Sequence, residues 1–168
     1  MRPTIGWVLL ACLFCAPTLA DDPLKKPCET EPHHQLDFWV GVWDVYNADG
    51  KHVGENTITA HQCMLYENWK GDTGSRGMSL NFIDPATGLW TQEWADNSGG
   101  RITLRGRFQD GAMRMTGVHV MPYGGKRPFK GTWMLLEDGR VHQTFEEVAK
   151  KGEPYTIWFD GYYKKRDE

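Results

Sequence analysis

Cysteine, serine and clustered basic charge are scarce in this 168-residue chain, and each scarcity removes a class of chemistry. Ser75, Ser79 and Ser98 are the only serines. None sits in a Gly-x-Ser-x-Gly turn, so the sequence offers no nucleophile elbow. The histidines never fall at His-x-His or His-x-x-x-His spacing, which removes the simplest metal sites and leaves no metal ligand set to name. No glycine-rich phosphate loop follows a strand, and no apolar stripe keeps helical period for a useful length. Lysine and arginine cluster only at Lys164-Lys165-Arg166, in a chain whose acids outnumber its bases, so nucleic acid is not an expected partner. The longest apolar stretch, Thr4 to Phe14, is too short to span a bilayer, which takes about 20 residues.

That stretch has another reading. Arg2 provides a positive start and Thr18-Leu19-Ala20 a small-residue cleavage site, so residues 1–20 are expected to be a signal peptide. Cleavage removes Cys12 and Cys15 and leaves Cys28 and Cys63, an even pair for an oxidising compartment. One disulfide and a periplasmic or secreted location follow as expectations, with no membrane segment left in the mature chain. Residues 21–35 read as an extended, Pro-rich leader, and residues 36–168 as a single domain.

What fills that domain is alternation. Ten runs with period-two apolar patterning extend from Phe38–Asn47 to Tyr155–Lys164, nearly all separated by Gly, Pro or Asp-Gly turns. Successive side chains of a strand point to opposite faces, so this pattern predicts half-buried antiparallel strands. A meander of that many strands closes on itself to remove its edges. The fold class expected is therefore all-β: one up-and-down barrel of about ten strands, preceded by a helical turn over Pro32–Asp37. Short loops also suggest register. A four-residue Pro85–Gly88 loop sets Asn81 opposite Gln92 and Ser79 opposite Trp94. A two-residue turn at Asp138-Gly139 sets Trp133 opposite Thr144 and Leu135 opposite His142.

Several segments together carry a resemblance. Phe38-Trp39-Val40-Gly41-Val42-Trp43 followed by Asp44 looks like a lipocalin opening strand with its Gly-x-Trp. Leu65-Tyr66-Glu67-Asn68-Trp69, Ser79 to Pro85, Trp90 to Asp96, Gly139 to Gln143 and Phe159 to Tyr163 extend the likeness over nearly the whole domain. The chain resembles a bacterial lipocalin-like family of uncharacterised function. That resemblance implies a calycin-type barrel, related in form to lipocalins and fatty-acid-binding proteins, exported and without an established ligand. At His142 the chain has histidine where the resemblance leads one to expect arginine.

A barrel interior suits a small apolar or amphipathic ligand held by aromatics and a few polar groups. Trp90 and Trp94 share a face with Asn81 and Gln92, and Trp69 shares one with Glu67. Glu146 shares a face with His142 and Thr144, and Arg105 is the natural countercharge. The expected lining is thus Glu67, Trp69, Asn81, Trp90, Gln92, Trp94, Arg105, His142 and Glu146, with no cofactor. A haem iron would have His119 or His142 as its candidate ligand. Two other uses stay open: acid/base catalysis by Glu67 or Glu146, and a filled barrel that docks a partner through Met78, Leu80, Phe82 and Leu89. Trp39 and Trp43 are expected to be core.

Overall fold

A computed structural model describes residues 28–166; residues 1–20, where a signal peptide is expected, and residues 21–27 of the expected leader lie outside the described residues. Ten antiparallel strands form a closed barrel: β1 (Gly41–Asn47), β2 (His52–His61), β3 (Met64–Gly71), β4 (Arg76–Asp84), β5 (Leu89–Asp96), β6 (Arg101–Gln109), β7 (Ala112–Val120), β8 (Lys126–Leu135), β9 (Val141–Glu147) and β10 (Thr156–Lys165). Each strand pairs with its neighbour in sequence, and β1 pairs with β10 to close the ring. The all-β, ten-stranded expectation holds. No helix among the described residues is long and apolar enough to cross a membrane.

The helical turn expected over Pro32–Asp37 is instead two 3₁₀ turns, Glu31–His34 and Asp37–Trp39, so β1 begins at Gly41 rather than Phe38. Gly41 takes φ +148, a left-handed value open to glycine, and this bends the chain from the second turn into the barrel wall. The bend tucks Trp39, fully buried, under the barrel against Trp133 at a centroid separation of 5.8 Å. The Trp43 indole donates to the Trp39 carbonyl at 2.9 Å and fixes that geometry. Trp90 Nε1 donates to the Pro32 carbonyl at 3.1 Å. The N-terminal segment therefore caps one end of the barrel. A disulfide from Cys28 to Cys63 ties the cap to the β2–β3 turn.

That bond closes a 35-residue separation, which in the chain-entropy account corresponds to about 3–4 kcal/mol. The Cys28→Ser, Cys63→Ser double variant is expected to lose up to that much in urea unfolding. Because the cap lies at the end opposite the cavity described below, the lumen should be unaltered. A loss under about 0.5 kcal/mol would show that the cap docks without the covalent tie.

Alternation sorts the walls. On β4 and β5, Ser79, Asn81, Trp90 and Gln92 are buried, whereas Met78 and Leu80 on the other face are exposed. The register agrees with the four-residue loop: Asn81 faces Gln92 and Ser79 faces Trp94. On β8 and β9 the register differs from expectation by one residue. Trp133 faces Gln143, and Leu135 faces Val141. Leu136 N–H donates to the Arg140 carbonyl at 2.8 Å, so the loop has three residues, with Gly139 at φ +82. A one-residue slip inverts a strand, and Gln143, Phe145 and Glu147 face inward in place of His142, Thr144 and Glu146.

Candidate functional site

Glu67 lies at the heart of the interior, only 4% exposed. Strand β3 brings it inward between Leu65 and Trp69, and its neighbours in register, Ile58 on β2 and Ser79 on β4, point the same way. Its Oε2 accepts from the Ser79 hydroxyl at 2.5 Å and its Oε1 from Asn56 Nδ2 at 2.7 Å. Ser79 Oγ in turn accepts from Asn81 Nδ2 at 2.8 Å and from Gln92 Nε2 at 3.5 Å. On the far wall, the Tyr163 hydroxyl donates to Gln143 Oε1 and accepts from Asn56 Nδ2 at 3.3 Å. One polar network thus links six strands. Burial dominates its electrostatics: it pushes the Glu67 carboxyl up to about 7, against the opposing bonds from Ser79 and Asn56. Burial, then the Glu67 charge, holds the Tyr163 phenol well above its ordinary range.

Above this floor the barrel is not filled. A cavity of about 360 Å³ opens at the end away from the cap. Its floor is Glu67, Gln143 and Tyr163, and its walls are Trp69, Trp94, Phe145 and Phe159. Two turns and the start of β10 form the mouth, through Arg76, Asp96, Ser98 and Trp158. Glycines make room for the indoles. A Cβ at Gly77 would lie 2.1 Å from the Trp94 ring, and one at Gly54 would lie 2.7 Å from the Trp69 ring. The indole nitrogens are anchored at the rim, Trp69 to Ser75 Oγ at 3.0 Å and Trp94 to Asp96 Oδ2 at 3.3 Å. Asp96 also accepts from Ser98, and these bonds hold its carboxyl below the usual range although partial burial, the largest single influence, opposes them. A bulge in β10 between Ile157 and Phe159 turns Trp158 in beside Phe159, so consecutive residues both line the cavity.

A second buried charge group sits nearer the mouth, on β7, β8 and β9. Glu147 accepts from Arg127 Nη1 at 2.6 Å, and its other oxygen lies 3.3 Å from His119 Nδ1. Trp158 packs edge-on against His119 at 5.5 Å.

Of the residues expected to line the interior, the structure brings Glu67, Trp69 and Trp94 together at the cavity. Asn81 and Gln92 lie behind Ser79 as buried support. Trp90 belongs to the capped end. Three expectations are corrected. Arg105 is exposed on the outer face, because Ile102 and Leu104 take the inward positions of β6. His142 is outside, 2.7 Å from Asp160 Oδ1 and stacked on Tyr162. Glu146, opposite Lys130, shares that outer face. Gln143, Phe145, Phe159, Trp158 and Tyr163 were missed. Tyr163 and Phe159 alternate with Gly161 and were legible as one inward face, whereas the β9 pair depended on the register. No protein-family model matches the chain, and no curated protein matches it.

Proposed function

We propose that this chain is an exported lipocalin-like barrel that binds a small apolar or amphipathic molecule in its interior. The observation that carries the reading is the unfilled space itself: about 360 Å³ walled by four aromatic side chains above a floor of Glu67, Gln143 and Tyr163. Its volume lies in the range of small-ligand pockets, and an aromatic wall with few polar groups is their usual lining. Export is supported by the pattern of residues 1–20 and by the Cys28–Cys63 bond, which suits an oxidising compartment.

Native mass spectrometry of the protein purified from its own host tests this. The expected result is a noncovalent small-molecule adduct that quenches tryptophan emission when added back. Trp158→Ala, which removes a half-exposed wall at the mouth, should weaken rebinding roughly tenfold. A bare mass, with emission unmoved by a host metabolite extract, would sink the reading.

One observation favours a second use of the same cavity. A carboxyl held near neutrality and facing an open space can pass a proton in either direction. In that case the recovered small molecule changes chemically on incubation, and Glu67→Gln stops the change. A ligand returned intact speaks for a container.

A further inference from the structure

We infer that the ligand carries an organic ammonium group, seated against Glu67 at the cavity floor with its hydrocarbon part among Trp69, Trp94 and Phe159. This rests on the binding reading above and names its ligand class. The argument begins with an asymmetry between the two inward carboxylates. Glu147 is matched within the fold, by Arg127 at 2.6 Å and His119 at 3.3 Å. Glu67 is matched by nothing charged: among the described residues no Lys, Arg or His lies within ion-pair distance of it, and its partners are an amide and a hydroxyl. A buried carboxylate without a cation is costly. This one lines a cavity through which a cation can reach it.

The hydrogen-bond balance points the same way. Asn56 must turn its amino group to the Glu67 carboxylate, which strands its Oδ1 without a donor. Asn81 Oδ1 and Gln92 Oε1, in the same network, are stranded as well. These three lie behind the cavity lining, so the network that supports Glu67 is itself short of donors, and what the space presents is the Glu67 carboxylate beside the Gln143 amide and the Tyr163 phenol. A primary ammonium brings three donors and a positive charge. An anionic ligand would bring neither and would meet Glu67 head-on. Aromatic walls also favour a cation over a neutral group.

The charges that face this site are few. From β2 and β4 come Asn56 and Ser79, from β9 Gln143, and from β10 the phenol of Tyr163, none ionised at neutral pH. At the mouth are Asp96, held ionised, and Arg76, whose guanidinium is engaged by the carbonyls of Gly71 at 2.8 Å and Ser75 at 2.7 Å, while Glu147, Arg127 and His119, paired with one another, lie behind Trp158 and do not line the cavity. Glu67 is accordingly the group that titrates against the ligand. Ammonium binding requires its ionised form, so affinity should fall as pH drops below about 7.

The test uses matched pairs: phenethylamine with 2-phenylethanol, 3-phenylpropylamine with 3-phenylpropanol, and tryptamine with tryptophol, plus 3-phenylpropionate as the anion. Titration calorimetry on the mature chain at pH 8 should show at least one amine binding about tenfold or more tighter than its alcohol. At pH 5 that advantage should disappear. Near pH 6, calorimetry in two buffers of different ionisation enthalpy should register proton release on amine binding, a readout on the wild-type protein. Glu67→Gln should bring each amine-to-alcohol ratio within about threefold. Alcohols or the anion binding as tightly as the amines at pH 8, or a ratio that survives Glu67→Gln, overturns the inference and leaves an apolar container. No binding by any member of the panel counts against container and inference together.

Discussion

Glu67→Gln is expected to gain about 3 kcal/mol of stability relative to wild type between pH 4.5 and pH 8. The carboxyl moves from 4.5 to about 7 on folding because burial disfavours its charge. Between those values the folded protein keeps a proton that the unfolded chain has released. Stability therefore falls as pH rises through that window, and above about 7 the full penalty of a buried charge is present. Glutamine is the same shape and carries no charge, so the variant escapes the penalty. His52 titrates in an overlapping range with the same sign. Its bond to Asp72, at 2.8 Å, raises its affinity for the proton, and that stabilisation is also lost as pH rises. Wild type alone would mix the two, whereas the difference between wild type and variant isolates Glu67. Urea unfolding at pH 5, 6, 7 and 8 measures it. Parallel curves for the two proteins would mean that the carboxyl is not desolvated as described. An added amine that binds the floor should shrink the difference at pH 8, since it stabilises the ionised wild type alone.

Trp39→Ala should cost about 3–5 kcal/mol, of order 15 °C in Tm. The side chain is wholly buried and packs on Trp133, next to the Trp39 backbone carbonyl that accepts from the Trp43 indole. Its loss leaves an indole-sized void where the N-terminal turn meets the barrel, and the disulfide limits how far the cap can collapse into it. Trp39→Phe should recover more than half of the loss. Thermal melts of both variants decide the matter, and a cost near 1 kcal/mol for Trp39→Ala would show that the cap contributes little beyond covering the end.

Two of the Asp-Gly dipeptides, Asp110-Gly111 and Asp138-Gly139, show where reading a sequence reaches its end. At Asp110-Gly111 both residues take positive φ, 51 and 73, and Gln109 faces Ala112 across a two-residue turn. The dipeptide alone implies that geometry. At Asp138-Gly139 only the glycine does, and the loop takes in Glu137 as a third residue. There the Asp138 carboxylate caps the turn, accepting from Arg140 N–H at 3.1 Å and from its guanidinium Nε at 2.8 Å. Two residues cannot announce which turn they will make. What chooses is the burial of Trp133, Val141 and Gln143, all within a few per cent of complete, on one inner face. The misplacement of His142 and Glu146 follows from that single residue of slip. Arg105 is a different matter: Ile102 and Leu104 already marked its face as the outer one.

Alternation and turn chemistry, being local, were enough to set the number of strands, their antiparallel order and which side chains of β3, β4 and β5 share a face, and so to bring Glu67, Trp69 and Trp94 into view; which of the two faces is the inner one is decided by the closed barrel. Ring closure decided the rest. It carried Tyr163 and Gln143 from the end of the chain across to Glu67, and left that carboxylate with neutral partners while Glu147 received an arginine. Solvation and charge pairing depend on what lies across the lumen, as with Asn56 and Tyr163, 107 residues apart in sequence, and no local pattern encodes a neighbour at that distance.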